Sequence, residues 1–158
     1  MEEEEVTFVI SGGEVKPIIT ISGSATIFQL KKRITEHTGV PVGRQNLLYD
    51  NVKLPDLSTV DQYKFGAIVE LILAVDLYPD ERVMDITVSS PAFRVRLRVN
   101  KVHKVIQLKE KVREMFSIPI KEITLWYMSK KMQDDKPLYK YYVSEGSDVQ
   151  FTRTGFYT

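Results

Sequence analysis

The sequence contains no cysteine, one tryptophan and two histidines in 158 residues. Without cysteine there is no disulfide framework, no thiolate zinc site and no cysteine nucleophile. That absence fits a reducing compartment. His37 and His103 are far apart in the chain and have no metal-ligand spacing. A glycine-rich phosphate loop is missing too, and the carboxylates are scattered over polar positions. The chain is therefore expected to have no enzyme activity, no catalytic residues, no metal and no cofactor. No apolar run approaches the ~20 residues that a membrane helix needs, so no membrane partner is expected. The acidic start, Met1-Glu2-Glu3-Glu4-Glu5, is unlike a secretory or mitochondrial address and reads as a solvated lead-in. The expected location is cytoplasmic, nuclear or both.

Charge of one sign is also lacking, since the net charge is +1. The halves differ, however. Residues 1–76 carry seven Lys+Arg against eleven Asp+Glu, a net −4, and residues 77–158 carry fifteen against ten, a net +5. The second half is the better meeting place for anions. Neither half is extreme enough to demand nucleic acid, and a protein partner is expected instead.

What is present is one stretch used twice. Gly39-Val40-Pro41-Val42-Gly43-Arg44-Gln45-Asn46-Leu47-Leu48-Tyr49 is matched by Ser117-Ile118-Pro119-Ile120-Lys121-Glu122-Ile123-Thr124-Leu125-Trp126-Tyr127. The copies are 78 residues apart. The same offset joins Phe8 to Ile86, Ile19 to Leu97, Ile27 to Val105, Leu30 to Leu108, Ile34 to Val112 and Tyr63 to Tyr141. With 43% hydrophobic residues, two modest cores are affordable in this length. The expected organisation is two domains, 6–75 and 83–154, joined by a polar linker over 76–82, and a monomer. Leu77 and Tyr78 in that linker either stay solvated or pack in an interface.

In the first unit, Val6 to Ile10 and Val15 to Ile21 are β-formers around Ser11-Gly12-Gly13-Glu14, the pattern of a hairpin. Thr26 and Gln29 form a capping-box pair. Ile27, Leu30 and Ile34 then mark one helical face, with Lys31, Lys32 and Arg33 pointing mostly to water. Gly39 and Pro41 end the helix. His37, in its last turn, reads as a surface residue. Gln45 to Tyr49 is a strand, Asp50-Asn51 a turn, Val52 to Leu54 a short return strand and Leu57 to Tyr63 a helical turn or a tight loop. Ile68 to Val75 is so continuously apolar that it reads as a central strand buried by its neighbours.

Strand, strand, helix, strand, short strand, strand is the β-grasp order. Gly-Val-Pro, Gln45-x-Leu47-Leu48-Tyr49, Leu54-Pro55-Asp56 and Tyr63 resemble the ubiquitin family through the same elements. The fold class this implies is α+β, with two tandem β-grasp (ubiquitin-like) domains, each a mixed sheet crossed by one helix.

The second unit repeats the scheme. Phe93, Val95, Leu97 and Val99 alternate with Arg94, Arg96 and Arg98, a half-buried strand with a basic outer face. Val105, Leu108, Val112 and Met115 form the helical stripe, more weakly capped because Lys104 replaces the threonine. Ser129-Lys130-Lys131 reads as the turn after the third strand, and Asp148 to Arg153 as the last strand. Matching Val69 with Val149 and Leu71 with Phe151 implies that the offset grows to 80, through a loss of about two residues after Tyr63 in the first unit.

Conjugated members of the ubiquitin family end in a flexible Gly-Gly. Here the chain ends Arg153-Thr154-Gly155-Phe156-Tyr157-Thr158 and the first unit runs from Val75 into the linker. The resemblance thus implies a non-conjugated relative that acts through its surfaces. The family's binding patch on the open sheet face corresponds to Leu48, Glu70 and Ile72 in the first unit, and to Trp126, Gln150 and Thr152 in the second. Gly12-Gly13 lacks the patch leucine of the family's hairpin turn. Trp126 either faces solvent as a binding hot spot or packs on its neighbours or the first unit. Arg94, Arg96 and Arg98 are either an anion-binding set or a solvated face. Lys130 matches a lysine of the family used for chain building. The function expected is a protein–protein interaction adaptor in ubiquitin–proteasome traffic, binding ubiquitin-binding-type helices or loops. The alternatives are an anion- or nucleic-acid-binding scaffold, or a conjugated modifier.

Overall fold

The structure, a computed structural model, describes residues 4–76 and 82–153. The chain separates into two compact units, Met1–Leu77 and Tyr78–Thr158. The linker readings for residues 77–81 and the tail readings for residues 154–158 lie outside the described residues.

The first unit runs β1 (Glu5–Ser11), β2 (Ile18–Ser22), α1 (Ile27–Thr38), β3 (Gln45–Tyr49), β4 (Val52–Lys53) and β5 (Ile68–Val75). The second runs β6 (Val83–Ser89), β7 (Arg94–Asn100), α2 (Val105–Phe116), β8 (Ile123–Tyr127), β9 (Lys130–Lys131) and β10 (Asp148–Arg153). The sheets are β2-β1-β5-β3-β4 and β7-β6-β10-β8-β9. In each, the first and last long strands are parallel and the other pairs antiparallel. These are two tandem β-grasp domains, each a mixed sheet crossed by one helix.

Local chemistry sets the helices. Thr26 Oγ1 accepts the Gln29 N–H at 3.1 Å and Gln29 Oε1 accepts the Thr26 N–H at 2.9 Å, so two orphan donors are satisfied at once. Ile27, Leu30 and Ile34 are fully buried against the inner sheet face. Gly39 ends α1 at φ 76°, where glycine costs least. At α2, Lys104 has no acceptor to offer. Gln107 Oε1 takes the Lys104 N–H at 2.8 Å, and the Gln107 N–H falls back on the Lys104 carbonyl at 3.0 Å. Lys104→Thr is expected to restore the missing half and raise the stability of the second unit by about 1 kcal/mol. A higher urea midpoint at unchanged m-value is the measurement.

Four sequence expectations need correction. Lys31 does not point to water: it is 3% exposed, and its Nζ lies 2.5 Å from Asp56 Oδ1. β5 is central, but only one of its faces is covered: Val69, Leu71 and Leu73 are buried, whereas Ile68 is 72% and Ile72 44% exposed. Lys130 and Lys131 form β9 rather than a turn. The turn is Met128-Ser129, with φ of 51° and 64°, matching Asp50-Asn51 at 48° and 63°. Two successive positive φ values suit a tight two-residue hairpin, and methionine concealed the turn because it rarely adopts them.

The fourth correction is the offset. Leu48 lies opposite Ile72 and Trp126 opposite Gln150. Val9 lies beside Glu70, and Thr87 beside Asp148. Both comparisons keep 78 through the last strand, so no residues are lost after Tyr63. Strand side chains alternate with period two. A slip of two therefore preserves every inward and outward residue, and the apolar pattern alone could not reject it.

Candidate functional site

With the helix on one face of each sheet, no other described element of the same unit covers the opposite face. In the first unit Leu48 on β3 is half-buried and stands directly opposite Ile72 on β5. Directly opposed side chains on one sheet face touch. Glu70, one outward position back along β5, is exposed. Ile68 follows beyond it, beside Thr7. On the far side, Ile18 is 67% exposed and lies opposite half-buried Val9. Lys53 flanks Leu48, and Thr7 and Thr20 share a hydroxyl hydrogen bond of 2.8 Å. The face thus carries two apolar pairs, Leu48 with Ile72 and Val9 with Ile18, and Ile68 beyond them, set around the exposed Glu70. Sequence reasoning missed Ile18 and Ile68. Ile18 is legible from alternation, because Ile19 and Ile21 are buried and strand side chains point to opposite faces in turn.

Gly12 closes the β1–β2 turn at φ 130°, and a Cβ there would lie 2.5 Å from the Leu73 carbonyl oxygen. That backbone position cannot carry a leucine, so the turn adds no apolar side chain to the face at Gly12.

In the second unit Trp126 is half-buried, between Gln150 and Lys131 on the flanking strands. Its indole N–H donates to Thr152 Oγ1 at 2.9 Å. The fold therefore brings Trp126, Gln150 and Thr152 together. By strand register, however, the counterparts of Glu70 and Ile72 are Asp148 and Gln150, and Thr152 is the counterpart of Ala74. The assignment of Gln150 and Thr152 as those counterparts is corrected accordingly. The hydrogen bond satisfies the polar edge of the ring and orients its apolar body on the face.

Arg94, Arg96 and Arg98 are exposed on β7, at the opposite edge of the sheet from β8, with β6 and β10 between. They do not join the Trp126 group. Asp85 on β6 lies directly opposite Arg98; its carboxylate accepts from Arg98 Nε at 3.1 Å and Arg96 Nη2 at 3.4 Å. The hydrogen bond from Arg98, then the charges of Arg98 and Arg96, hold the Asp85 carboxyl below its ordinary value, and the same bond raises the Arg98 guanidinium. The carboxylate form is favoured in the folded state. Its contribution is complete above the ordinary carboxylate value of about 3.9 and is lost as pH falls through the lowered one. A carbon-detected NMR titration of Asp85 should show a midpoint below the ordinary carboxylate value of about 3.9, and Arg98→Ala should move the Asp85 midpoint up.

His37 is exposed and His103 half-buried. Among the described residues no group of three His, Asp or Glu is placed to hold a metal, and no helix is long and apolar enough to cross a membrane.

A model of the ubiquitin family matches residues 7–76 and, a second time, residues 86–154. The chain belongs to the ubiquitin family. Both matches fall on the two sheets described above, so both units are ubiquitin-like domains. Among solved structures it is similar to the ubiquitin-like domain of an Arabidopsis thaliana protein, at 22% identity over 54% of this chain and 92% of that one, with a TM-score of 0.47. A second NMR structure of that protein matches at 25% identity over 48% and 90%, with a TM-score of 0.44. An N-terminal ubiquitin-like domain of a further protein matches at 15% identity over 54% and 88%, with a TM-score of 0.46.

Proposed function

We propose that this tandem ubiquitin-family chain is an interaction adaptor without chemistry of its own, serving ubiquitin–proteasome traffic in the cytoplasm or nucleus. The observation that supports it is the outer face of the first unit, where Leu48 and Ile72 face each other and Ile18 and Ile68 are exposed on the same face, on the other side of Glu70. Exposed apolar side chains grouped on one face with polar groups among them are a usual form of protein-binding surface. An amphipathic helix laid on it would bury these side chains from water. Trp126 supplies the second unit with a smaller anchor of the kind that dominates binding energy.

The test is an amide-shift titration of the labelled chain with ubiquitin-binding helical peptides. Shifts are expected to cluster on β3 and β5 around Leu48 and Ile72. Leu48→Asp should weaken binding by about tenfold or more, since it places a charge in the apolar contact. Unchanged binding by a folded Leu48→Asp/Trp126→Ala variant would remove this reading.

A further inference from the structure

We infer that the free edge of β7 receives an acidic, extended segment of a partner protein as an added strand. This surface is separate from the sheet-face patches above and does not depend on them.

The backbone comes first. Among the described residues β7 pairs with β6 alone and ends its sheet. The hydrogen bonds Ser90 N–H to Phe93 carbonyl, 2.8 Å, and Lys101 N–H to Arg82 carbonyl, 3.0 Å, bracket the strand pair. Antiparallel pairs alternate between hydrogen-bonded and non-hydrogen-bonded positions. Val95, Leu97 and Val99 therefore bond to β6, and the N–H and C=O groups of Arg94, Arg96 and Arg98 point to the open edge.

The two faces of that edge say what would pair there. On the helix side, Val95 and Leu97 are half-buried. Their counterparts in the first unit, Pro17 and Ile19, are sealed, Ile19 at 1% exposure. An added strand would cover the open flank with its own apolar side chains. On the outer side stand three arginines, of which Arg96 and Arg98 share the single carboxylate of Asp85. Residues of an added strand that bond to Arg94, Arg96 and Arg98 lie directly opposite them, with side chains on the same outer face. Those residues should be acidic, and the alternate ones apolar. A second copy of β7 would set arginine against arginine, which is repulsive. A nucleic-acid strand would use the arginines and leave the edge amides and the apolar flank unmet. The mode is strand addition to a sheet edge, with main-chain bonds giving affinity and alternate side chains giving selection.

The experiment uses the full chain, 15N-labelled, and a ten-residue peptide alternating valine and aspartate. The controls are the same peptide N-methylated at its aspartates, a ten-residue polyaspartate and a twelve-nucleotide oligothymidine. Binding is expected to shift the amides of Arg94, Arg96 and Arg98 and slow their hydrogen exchange. N-methylation, loss of the valines and Arg94→Glu should each weaken binding by about tenfold or more, while Trp126→Ala should leave it unchanged. Arg94 is exposed, so its replacement should spare the fold. Equal binding of the N-methylated peptide, shifts centred on β8, or binding of the oligonucleotide alone would overturn the proposal. So would silence of every probe, in which case the arginines serve to block edge pairing between copies.

Discussion

Asp56→Ala is expected to lower the stability of the first unit by about 3 kcal/mol, far more than a surface change would. Lys31 lies on the covered side of α1 with its side chain 4% exposed, and its ammonium reaches Asp56, which is 45% exposed. Removing the carboxylate leaves a buried cation without its partner, a loss of 3–5 kcal/mol for fully buried pairs. The exposure of Asp56 argues for the lower end. The residue also fastens a loop. The Phe28 N–H bonds to the Asp56 carbonyl and the Ile27 N–H to that of Ser58, both at 2.9 Å, so this segment supplies the first turn of α1 with acceptors. Lys31→Met should cost less, about 1 kcal/mol or below, because an apolar side chain of similar length needs no counter-ion. Asp56→Ala combined with Lys31→Met should recover most of the loss. Chemical denaturation of the four proteins measures the coupling. If Asp56→Ala alone cost less than about 1 kcal/mol, the pair would be no more than a surface contact.

The same device stands in the second unit, where Lys109 Nζ meets Asp134 Oδ1 at 2.5 Å and the side chain of Lys109 is 10% exposed. There the Ile106 N–H bonds to the Asp134 carbonyl at 3.0 Å. Both pairs are related by the offset of 78 and were readable as Lys31/Lys109 and Asp56/Asp134. They were overlooked because a lysine on a helix ordinarily sits in water, and no periodicity rule marks one that turns inward.

Elements with a strong local cause were legible. Thr26 with Gln29 placed the start of α1, and Gly39 its end. The runs Gln45–Tyr49, Ile68–Val75 and Asp148–Arg153 are read from the sequence at their observed limits. What failed was decided by register or by neighbours. The exposure of Ile68 and Ile72 depends on what lies over β5, and within β5 the one sign of it is Glu70, which shares their face but stands alone in an apolar run. The counterparts of the patch in the second unit depend on pairing register, to which a period-two pattern is blind. The sharing of Asp85 by Arg96 and Arg98 needs β6 beside β7, which the hairpin implied; the half-open flank at Val95 and Leu97 does not follow from their sequence, since Ile19 in the same role is sealed.

Phe8→Ala should be close to the largest single loss the first unit can take. Phe8 lies in the middle of β1, between Ile19 on β2 and Val69 on β5, and is fully buried. Its ring meets Phe65 edge-on at 5.4 Å, and Phe65 in turn packs against Tyr49 at 4.9 Å and Tyr63 at 5.2 Å. Truncation removes the buried ring and leaves a cavity that a closed sheet and helix cannot fill, about 3–5 kcal/mol. A unit of this size has total stability on the order of 4–11 kcal/mol, so a large part of it is lost. Guanidinium unfolding and loss of amide dispersion from the residues of β1 and β5 measure it. The repeat supplies its own control. At the matching positions the second unit has Ile86, 1% exposed, and Val143, 5% exposed, in place of Phe8 and Phe65. Phe8→Ile or Phe65→Val alone breaks the aromatic pair, worth about 0.5–1.5 kcal/mol beyond area, and leaves the remaining ring with a misfitting neighbour. Together they install the aliphatic pair of the second unit, so the double variant should lose less than the sum of the singles. Strict additivity would mean that the two rings are not packed as one contact.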